Sequence, residues 1–112
     1  MSSKSDFLSA TVSACENGGF LVGVSVSQKE LAAQAVHDEL HRWSASHMPF
    51  GAGAEVSERY IKMGLKSVRE KFRTNPELHQ AYGVFDPITI LSVISALFSI
   101  IGWLRKWFSG EA

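Results

Sequence analysis

The chain has 112 residues, with 11 basic and 11 acidic side chains, so its formal net charge is zero. This length allows one small hydrophobic core. Because the net charge is zero, overall charge alone does not indicate a highly charged partner. The only cysteine, Cys15, excludes an intrachain disulfide. Any signal of function therefore lies in how residues are distributed along the chain.

Two runs of alternating small apolar and polar residues lie near the N-terminus, at positions 8–14 and 22–27. The segment between them contains Asn17, Gly18 and Gly19, which tolerate the positive φ angles of a tight turn. The pattern predicts a β-hairpin. Because an isolated hairpin is at best marginally stable in water, we expect it to pack on a helix or pair with another chain.

Two amphipathic helices are predicted after the hairpin. Ser27 and Glu30 fit a capping box, and apolar residues then recur at helical spacing through about Ser46. A second helix is predicted from about Ala54 to Arg73. Its apolar stripe consists of Ile61, Leu65, Val68 and Phe72.

Proline and glycine mark the connections between these elements. Residues 48–53 break the helical pattern and predict a loop, and Pro76 opens a short helical turn that ends near Gly83. The predicted fold class is α+β, with an N-terminal β-hairpin, two amphipathic helices and a long C-terminal hydrophobic helix. Residues 1–85 are expected to form a small head and residues 86–112 the hydrophobic helix.

The C-terminal segment has no charged side chain from Pro87 to Leu104. Asp86 suits the N-cap of a helix, Pro87 suits its first position and Gly110 suits its end. A helix from Pro87 to Ser109 would be about 34 Å long, close to the hydrocarbon thickness of a bilayer. The pattern predicts a single membrane-spanning helix, with the head favoured on the cytoplasmic or interior side.

Apolar and aromatic side chains give this helix its predicted contact with lipid. They are Ile88, Leu91, Ile94, Leu97, Phe98, Ile101, Trp103, Leu104 and Trp107. Aromatic rings next to Arg105 and Lys106 are typical of a membrane interface. The alternatives are a hydrophobic helix buried in a protein assembly and one that lies in the membrane interface.

Small residues follow one line of the hydrophobic helix at alternating steps of three and four. These residues, the seam, are Ser92, Ser95, Ser99 and Gly102. In lipid, small residues let helix backbones approach each other, so the seam predicts a homo-oligomer. The alternative is the weakly polar side of a helix packed on its own domain, with serine hydroxyls bonded back to nearby carbonyls.

Cations follow the second amphipathic helix at the same spacing. This line, the cationic ridge, consists of Arg59, Lys62, Lys66, Arg69 and Arg73. It is expected to bind anionic lipid headgroups, or the phosphates of nucleic acid, and its nearness to the hydrophobic helix favours lipid. The alternative is a solvated helix face with ordinary ion pairs.

Three histidines lie at metal-ligand spacing. His37 and His41 are one helical turn apart, and His47 follows six residues later. Over 11 residues this spacing resembles the metzincin zinc motif, HExxHxxGxxH. The resemblance implies that the three histidines bind zinc and that Asp38 takes the place of the glutamate that activates water.

The same resemblance implies a methionine turn, for which Met48 or Met63 is the candidate. The chain departs from the motif where Asp38 replaces the longer glutamate and Ser44 replaces the glycine. The alternative is that the histidines are ordinary solvent-facing or packed residues of a helix.

The sequence therefore predicts a small, non-catalytic, membrane-anchored structural protein that self-associates through its C-terminal helix and needs no cofactor. One alternative is a virion-type or other assembly protein whose hydrophobic helices bundle with protein, leaving the ridge on lipid or nucleic acid. The other is a zinc-binding protein or metallohydrolase.

Overall fold

The structure is a computed structural model that describes residues 1–47 and 56–111. These residues form α-helices and no strand, so the predicted α+β class with an N-terminal β-hairpin is wrong and the described fold is all-helical. The helices are α1 (Lys4–Asn17), α2 (Val26–Ser46), α3 (Glu58–Thr74), α4 (Glu77–Ala81), α5 (Pro87–Ser99) and α6 (Ile101–Ser109).

Helix α1 occupies the place of the predicted first strand. Its buried residues are Phe7, Thr11, Ala14 and Cys15, at steps of four, three and one. These steps place all four on one face of a helix, whereas a strand would split them between two faces. Small polar and apolar residues alternate from Ser9 to Ala14, but such residues fit either period. The apolar contacts of the folded chain therefore decide between a helix and a strand.

The Asn-Gly pair ends α1 where a hairpin turn was predicted. Gly18 is the C-cap residue, and its N–H donates to the Ala14 carbonyl. Gly19 has a φ of 70°, a left-handed conformation that suits the residue after a helix. The predicted second strand is a loop followed by the start of α2, whose cap is Ser25, two residues before the predicted Ser27.

Helix α3 confirms the predicted apolar stripe, because Ile61, Leu65, Val68 and Phe72 are all buried. The helix begins at Glu58, later than predicted, after Ser57, whose hydroxyl accepts the Tyr60 N–H at 3.1 Å. Helix α4 confirms the short helical turn after Pro76. The predicted loop at 48–53 lies outside the described residues.

The C-terminal segment begins and ends as predicted but is not one straight helix. The Asp86 carboxylate accepts the Ile88 N–H at 3.0 Å, and Gly110 has a φ of 80° after α6. At Ile100 the chain leaves helical geometry, with φ −118° and ψ 35°, and α5 and α6 are bent by 86°. Over 1–47 and 56–111 no single helix is long and apolar enough to cross a membrane, and only this bent pair has the length and composition together. The predicted single transmembrane helix is therefore wrong for this structure.

The bend has a packing reason. Helix α5 packs against α1, α2 and α3, and Ile94 and Leu97, which were predicted to face lipid, are buried in the core. A straight continuation would carry Leu104 and Trp107 away from that core into solvent. Folding back instead places α6 against α3 and buries both residues.

Gly64 is a point of close approach between α2 and α3. A Cβ atom there would lie 2.8 Å from two ring carbons of Trp43 and 2.9 Å from a methyl of Leu40. Gly64→Ala gains about 1 kcal/mol of helix propensity but loses about 1–3 kcal/mol to overpacking. We therefore expect a lower free energy of unfolding in urea. Gly102→Ala is the matched control, because its Cβ would meet Glu58 at an ordinary 3.6 Å, and it should not destabilise. A Gly64→Ala protein more stable than the parent would contradict this packing.

Candidate functional site

The cationic ridge lies on the surface of α3 and is called the α3 ridge from here on. All five of its cations are exposed, and they lie beside the buried stripe on the same helix. The two sets separate because both repeat at steps of three and four but are offset from each other along the helix. Exposure is compatible both with a binding surface and with a solvated helix face, so binding by the ridge stays a prediction.

The two C-terminal cations of the ridge have partners. The Arg73 guanidinium donates two hydrogen bonds to Glu70, at 3.1 and 3.0 Å, and this carboxylate raises the pKa of Arg73. The Arg69 guanidinium lies over the ring of Phe98, 5.6 Å from its centre, in a cation–π contact with α5. Arg73 is thus locally neutralised, whereas Arg69 keeps its charge and ties the ridge to α5.

The three other ridge cations differ from these two. Across residues 1–47 and 56–111, no carboxylate forms an ion pair with Arg59, Lys62 or Lys66. Met63 stands among them on α3 with 55% of its side chain exposed. A run of unpaired cations with an exposed apolar side chain in its midst is suited to a surface that is both anionic and apolar.

Lys71 belongs to α3 but not to the ridge. Its Nζ lies 2.6 Å from Oε2 of Glu39, a carboxylate on α2 that is only 3% exposed. The Tyr82 hydroxyl donates to Oε1 of Glu39 at 2.9 Å, and Arg42 approaches the same oxygen at 3.4 Å. This cluster joins α2, α3 and the turn after α4. The sequence reading missed it, although Glu39 lies beside Leu40 on the buried face of α2.

The Glu39 cluster should make stability depend on pH at both ends of the range. Burial opposes ionisation of Glu39, but hydrogen bonds from Lys71 and Tyr82 outweigh it and lower its pKa. The stabilisation is therefore present above the ordinary carboxyl pKa and is lost as pH falls through the lowered folded-state value. Burial and the Glu39 carboxylate raise the pKa of Tyr82 to about 12, so the tyrosine's contribution is present at neutral pH and lost as pH rises toward that value.

Glu39→Gln should lower the free energy of unfolding by about 1–3 kcal/mol at neutral pH and flatten its acid dependence. Tyr82→Phe should flatten the alkaline dependence instead. Urea unfolding across the pH range measures both effects. If the free energy of unfolding of these variants depends on acid and alkaline pH as it does in the parent, the cluster does not control that dependence.

The outer face of α5 adjoins the ridge and carries the predicted seam. Ser95 and Ser99 are exposed, and Ser92 and Gly102 are half-buried. The Ser95 hydroxyl donates to the Leu91 carbonyl at 3.2 Å, and the Ser99 hydroxyl donates to the Ala96 carbonyl. The exposed serines therefore bond within their own helix. Self-association through the seam stays a prediction.

Exposed apolar side chains lie at the start of α5. Phe85 is 86% exposed, and Ile88, one of the residues predicted to face lipid, is 64% exposed. They precede the uncharged outer face of α5, which continues through half-buried Leu91 to Phe98. The ridge meets this uncharged face at Phe98, the residue that Arg69 contacts.

The three histidines of the zinc-like motif have separate environments. His37 packs against Phe7 and Trp107, and its Nδ1 lies 2.9 Å from Asp38. His41 lies beside it, with 6.1 Å between ring centres. His47 stacks on Trp43 instead, and its Nδ1 contacts the Trp43 carbonyl at 2.9 Å.

Asp38, the residue in the place of the motif's glutamate, pairs with Lys4 at 3.0 Å. Burial opposes its ionisation, but hydrogen bonds from His37 and Lys4 outweigh this and lower its pKa. Of the two candidates for the methionine turn, Met63 is exposed on α3 and Met48 lies outside the described residues. In the described part of the chain, no three His, Cys, Asp or Glu side chains are grouped to hold a metal ion.

Comparison of the chain with protein-family models, curated proteins and solved structures finds no significant match. In the described residues the fold is all-helical, with a buried Glu39 ion-pair cluster on one side of α3 and, on the other, the ridge, in which Arg59, Lys62 and Lys66 have no paired carboxylate.

Proposed function

We propose that this protein is a small, non-catalytic structural protein that attaches to an anionic lipid surface through the α3 ridge. The observation that carries the proposal is the exposure of Arg59, Lys62 and Lys66 without a paired carboxylate in the described chain. Each cation close to an anionic bilayer contributes about 1 kcal/mol of attraction. Anionic lipid is concentrated in the cytoplasmic leaflet, so the proposal places the protein on the cytoplasmic or interior side.

Nucleic acid offers phosphates to the same cations, but an exposed apolar side chain favours lipid. Met63 on the ridge is more than half exposed and would leave water on entering the headgroup region. Base stacking needs a free aromatic face, whereas the ring beside the ridge, Phe98, is covered by Arg69. Lipid therefore uses more of this surface than nucleic acid does.

Flotation of the full chain with vesicles tests the proposal. Vesicles of phosphatidylcholine alone should leave the protein at the bottom of the gradient, and vesicles containing about a third phosphatidylserine should carry it upward. Because surface charges are screened by salt, binding should fall between about 0.05 and 0.5 M NaCl. Fluorescence anisotropy with single-stranded and duplex oligonucleotides runs in parallel. Binding to oligonucleotides without binding to anionic vesicles would overturn the proposal in favour of nucleic acid.

Self-association is the part of the proposed structural role that the seam would supply. Ser95→Ile should weaken any vesicle-bound oligomer by blocking close approach of α5 helices, while keeping the face uncharged. Ser13→Ile is the control, because that exposed serine lies on α1, away from the seam. Chemical cross-linking on vesicles measures the change, and identical cross-linking in the parent and Ser95→Ile proteins would remove the seam from the account.

A further inference from the structure

The bend between α5 and α6 lies at Ile100 and is not imposed by proline, which is absent from 88–112. Ser99, whose hydroxyl donates to the Ala96 carbonyl, and Gly102 flank Ile100, and such small residues permit a kink. The Ile100 N–H donates to the Leu97 carbonyl at 3.2 Å, and the Leu104 N–H donates to the Ile100 carbonyl at 3.0 Å. The hydrogen-bond ladder is therefore interrupted for less than one turn. The local sequence permits the bend, and contacts elsewhere hold it.

Those contacts clamp α6 to the N-terminus of the chain. The Trp107 indole N–H donates to the Ser3 carbonyl at 2.8 Å, and the Ser2 N–H donates to the Trp107 carbonyl at 2.8 Å. The Trp107 ring packs 5.0 Å from the ring of Phe7 and 5.6 Å from that of His37. Trp107 is thus the centre of a clamp between α6, α1 and α2.

Without the clamp, α5 and α6 have the composition of one helix. The segment is uncharged from Pro87 to Leu104 and ends with Trp103 and Trp107 beside Arg105 and Lys106. In water, straightening would expose Trp107 and Phe108, which are buried in the described structure. At a lipid surface those side chains find another apolar environment, so lipid favours the straight form over the bent one.

We propose that Ile100 is an elbow that opens at an anionic lipid surface, releasing α6 from the Trp107 clamp and joining α5, which stays packed in the core, and α6 into one continuous helix whose α6 end enters the lipid interface. This inference rests on the proposed function, because the α3 ridge brings the protein to the lipid. The bent form is the closed state in water. The partner of the released helix is the lipid itself, which binds the open state and shifts the population toward it.

A distance between two spin labels reports the elbow directly. Ile88→Cys and Ser109→Cys are exposed positions on either side of the bend, whereas Cys15 is buried and burial raises the pKa of its thiol, so it labels slowly. At 1.5 Å per residue the two backbone positions are about 23 Å apart across an 86° bend and about 32 Å apart in a continuous helix. We expect an increase of roughly 9 Å when the labelled protein binds anionic vesicles.

Two variants should shift the distance between the labels in opposite directions. Ile101→Pro should hold the bend, because proline is tolerated at the first position of α6 but would clash with the Leu97 carbonyl in a continuous helix. It should bind vesicles through the ridge yet keep the short distance. Trp107→Phe removes the indole hydrogen bond to Ser3 and should raise the fraction at the long distance at a given lipid concentration.

Vesicle binding, measured on the same samples by flotation, separates the two proposals. If the parent protein floats with anionic vesicles and keeps the short distance, the elbow is overturned while the proposed function stands. If it does not float at all, the proposed function fails and the elbow fails with it. An equal increase in the Ile101→Pro protein would also contradict the elbow, because the change would then not depend on a continuous helix.

Discussion

Neutralising Arg59, Lys62 and Lys66 together as glutamines should weaken binding to anionic vesicles by about 150-fold. The estimate follows from about 1 kcal/mol for each cation near the surface, or about 3 kcal/mol in all. The three side chains are exposed and support no described ion pair, so the free energy of unfolding should change little. Vesicle titration and urea unfolding of the same protein measure the two quantities.

Neutral substitutions on the same helix provide the control for that result. Lys62→Gln should cost about fivefold in vesicle affinity, whereas Glu70→Gln combined with Arg73→Gln should cost much less because the charges of that ion pair already cancel. Equal losses in the two proteins would mean that the charge of Lys62 does not account for its contribution to binding. A triple variant that binds as well as the parent would remove the α3 ridge from the lipid contact.

Trp107→Ala should cause the largest loss of stability of any substitution considered for this protein, about 3–5 kcal/mol. The ring is 1% exposed and packs against Phe7, His37 and Phe108, and its indole N–H donates to Ser3. Trp107→Phe keeps most of the ring contact and loses the hydrogen bond, so its cost should be about 1–2 kcal/mol.

Trp103→Ala is the comparison within α6, because Trp103 is only half-buried and makes fewer core contacts. Urea unfolding followed by circular dichroism measures all three variants without depending on tryptophan fluorescence. If Trp107→Ala costs no more than Trp103→Ala, then Trp107 does not hold α6 against the N-terminus and the closed state lacks its clamp.

The sequence predicted the helices whose apolar spacing is unambiguous. Large residues at 61, 65, 68 and 72 define one face of α3, so the helix and its exposed cations both followed from periodicity. The cap at Asp86 and the glycine at 110 were also readable, because caps depend on local chemistry. These features are set by neighbours within a few residues along the chain.

The N-terminal element failed because its pattern suits two structures. Small residues at 9–14 satisfy a strand alternation, and only the contacts of Phe7 and Cys15 with the rest of the core select the helix. The Asn-Gly pair suits a helix end as well as a hairpin turn. Tertiary packing made the choice, and a single sequence does not display it.

The straight hydrophobic helix failed for a related reason. Its length and composition permit a continuous helix. Nothing near Ile100 in the sequence indicates that Trp107 packs on Phe7 and donates a hydrogen bond to Ser3, about a hundred residues earlier in the chain. The Glu39 cluster was missed in the same way, since Lys71 and Tyr82 join Glu39 only after α2, α3 and α4 are assembled. Long-range contacts determine both features.

The contact between the α3 ridge and lipid is tested most directly at the methyl group of Met63. The protein, labelled with ¹³C at its methionine methyls, is bound to anionic nanodiscs that contain a lipid spin-labelled at the headgroup, and Met63→Leu assigns the signal. Attachment through the ridge predicts strong broadening of the Met63 methyl signal, since Met63 lies between the cations that face the bilayer. A Met63 signal that stays sharp while the protein is bound to the same nanodiscs would contradict attachment through α3.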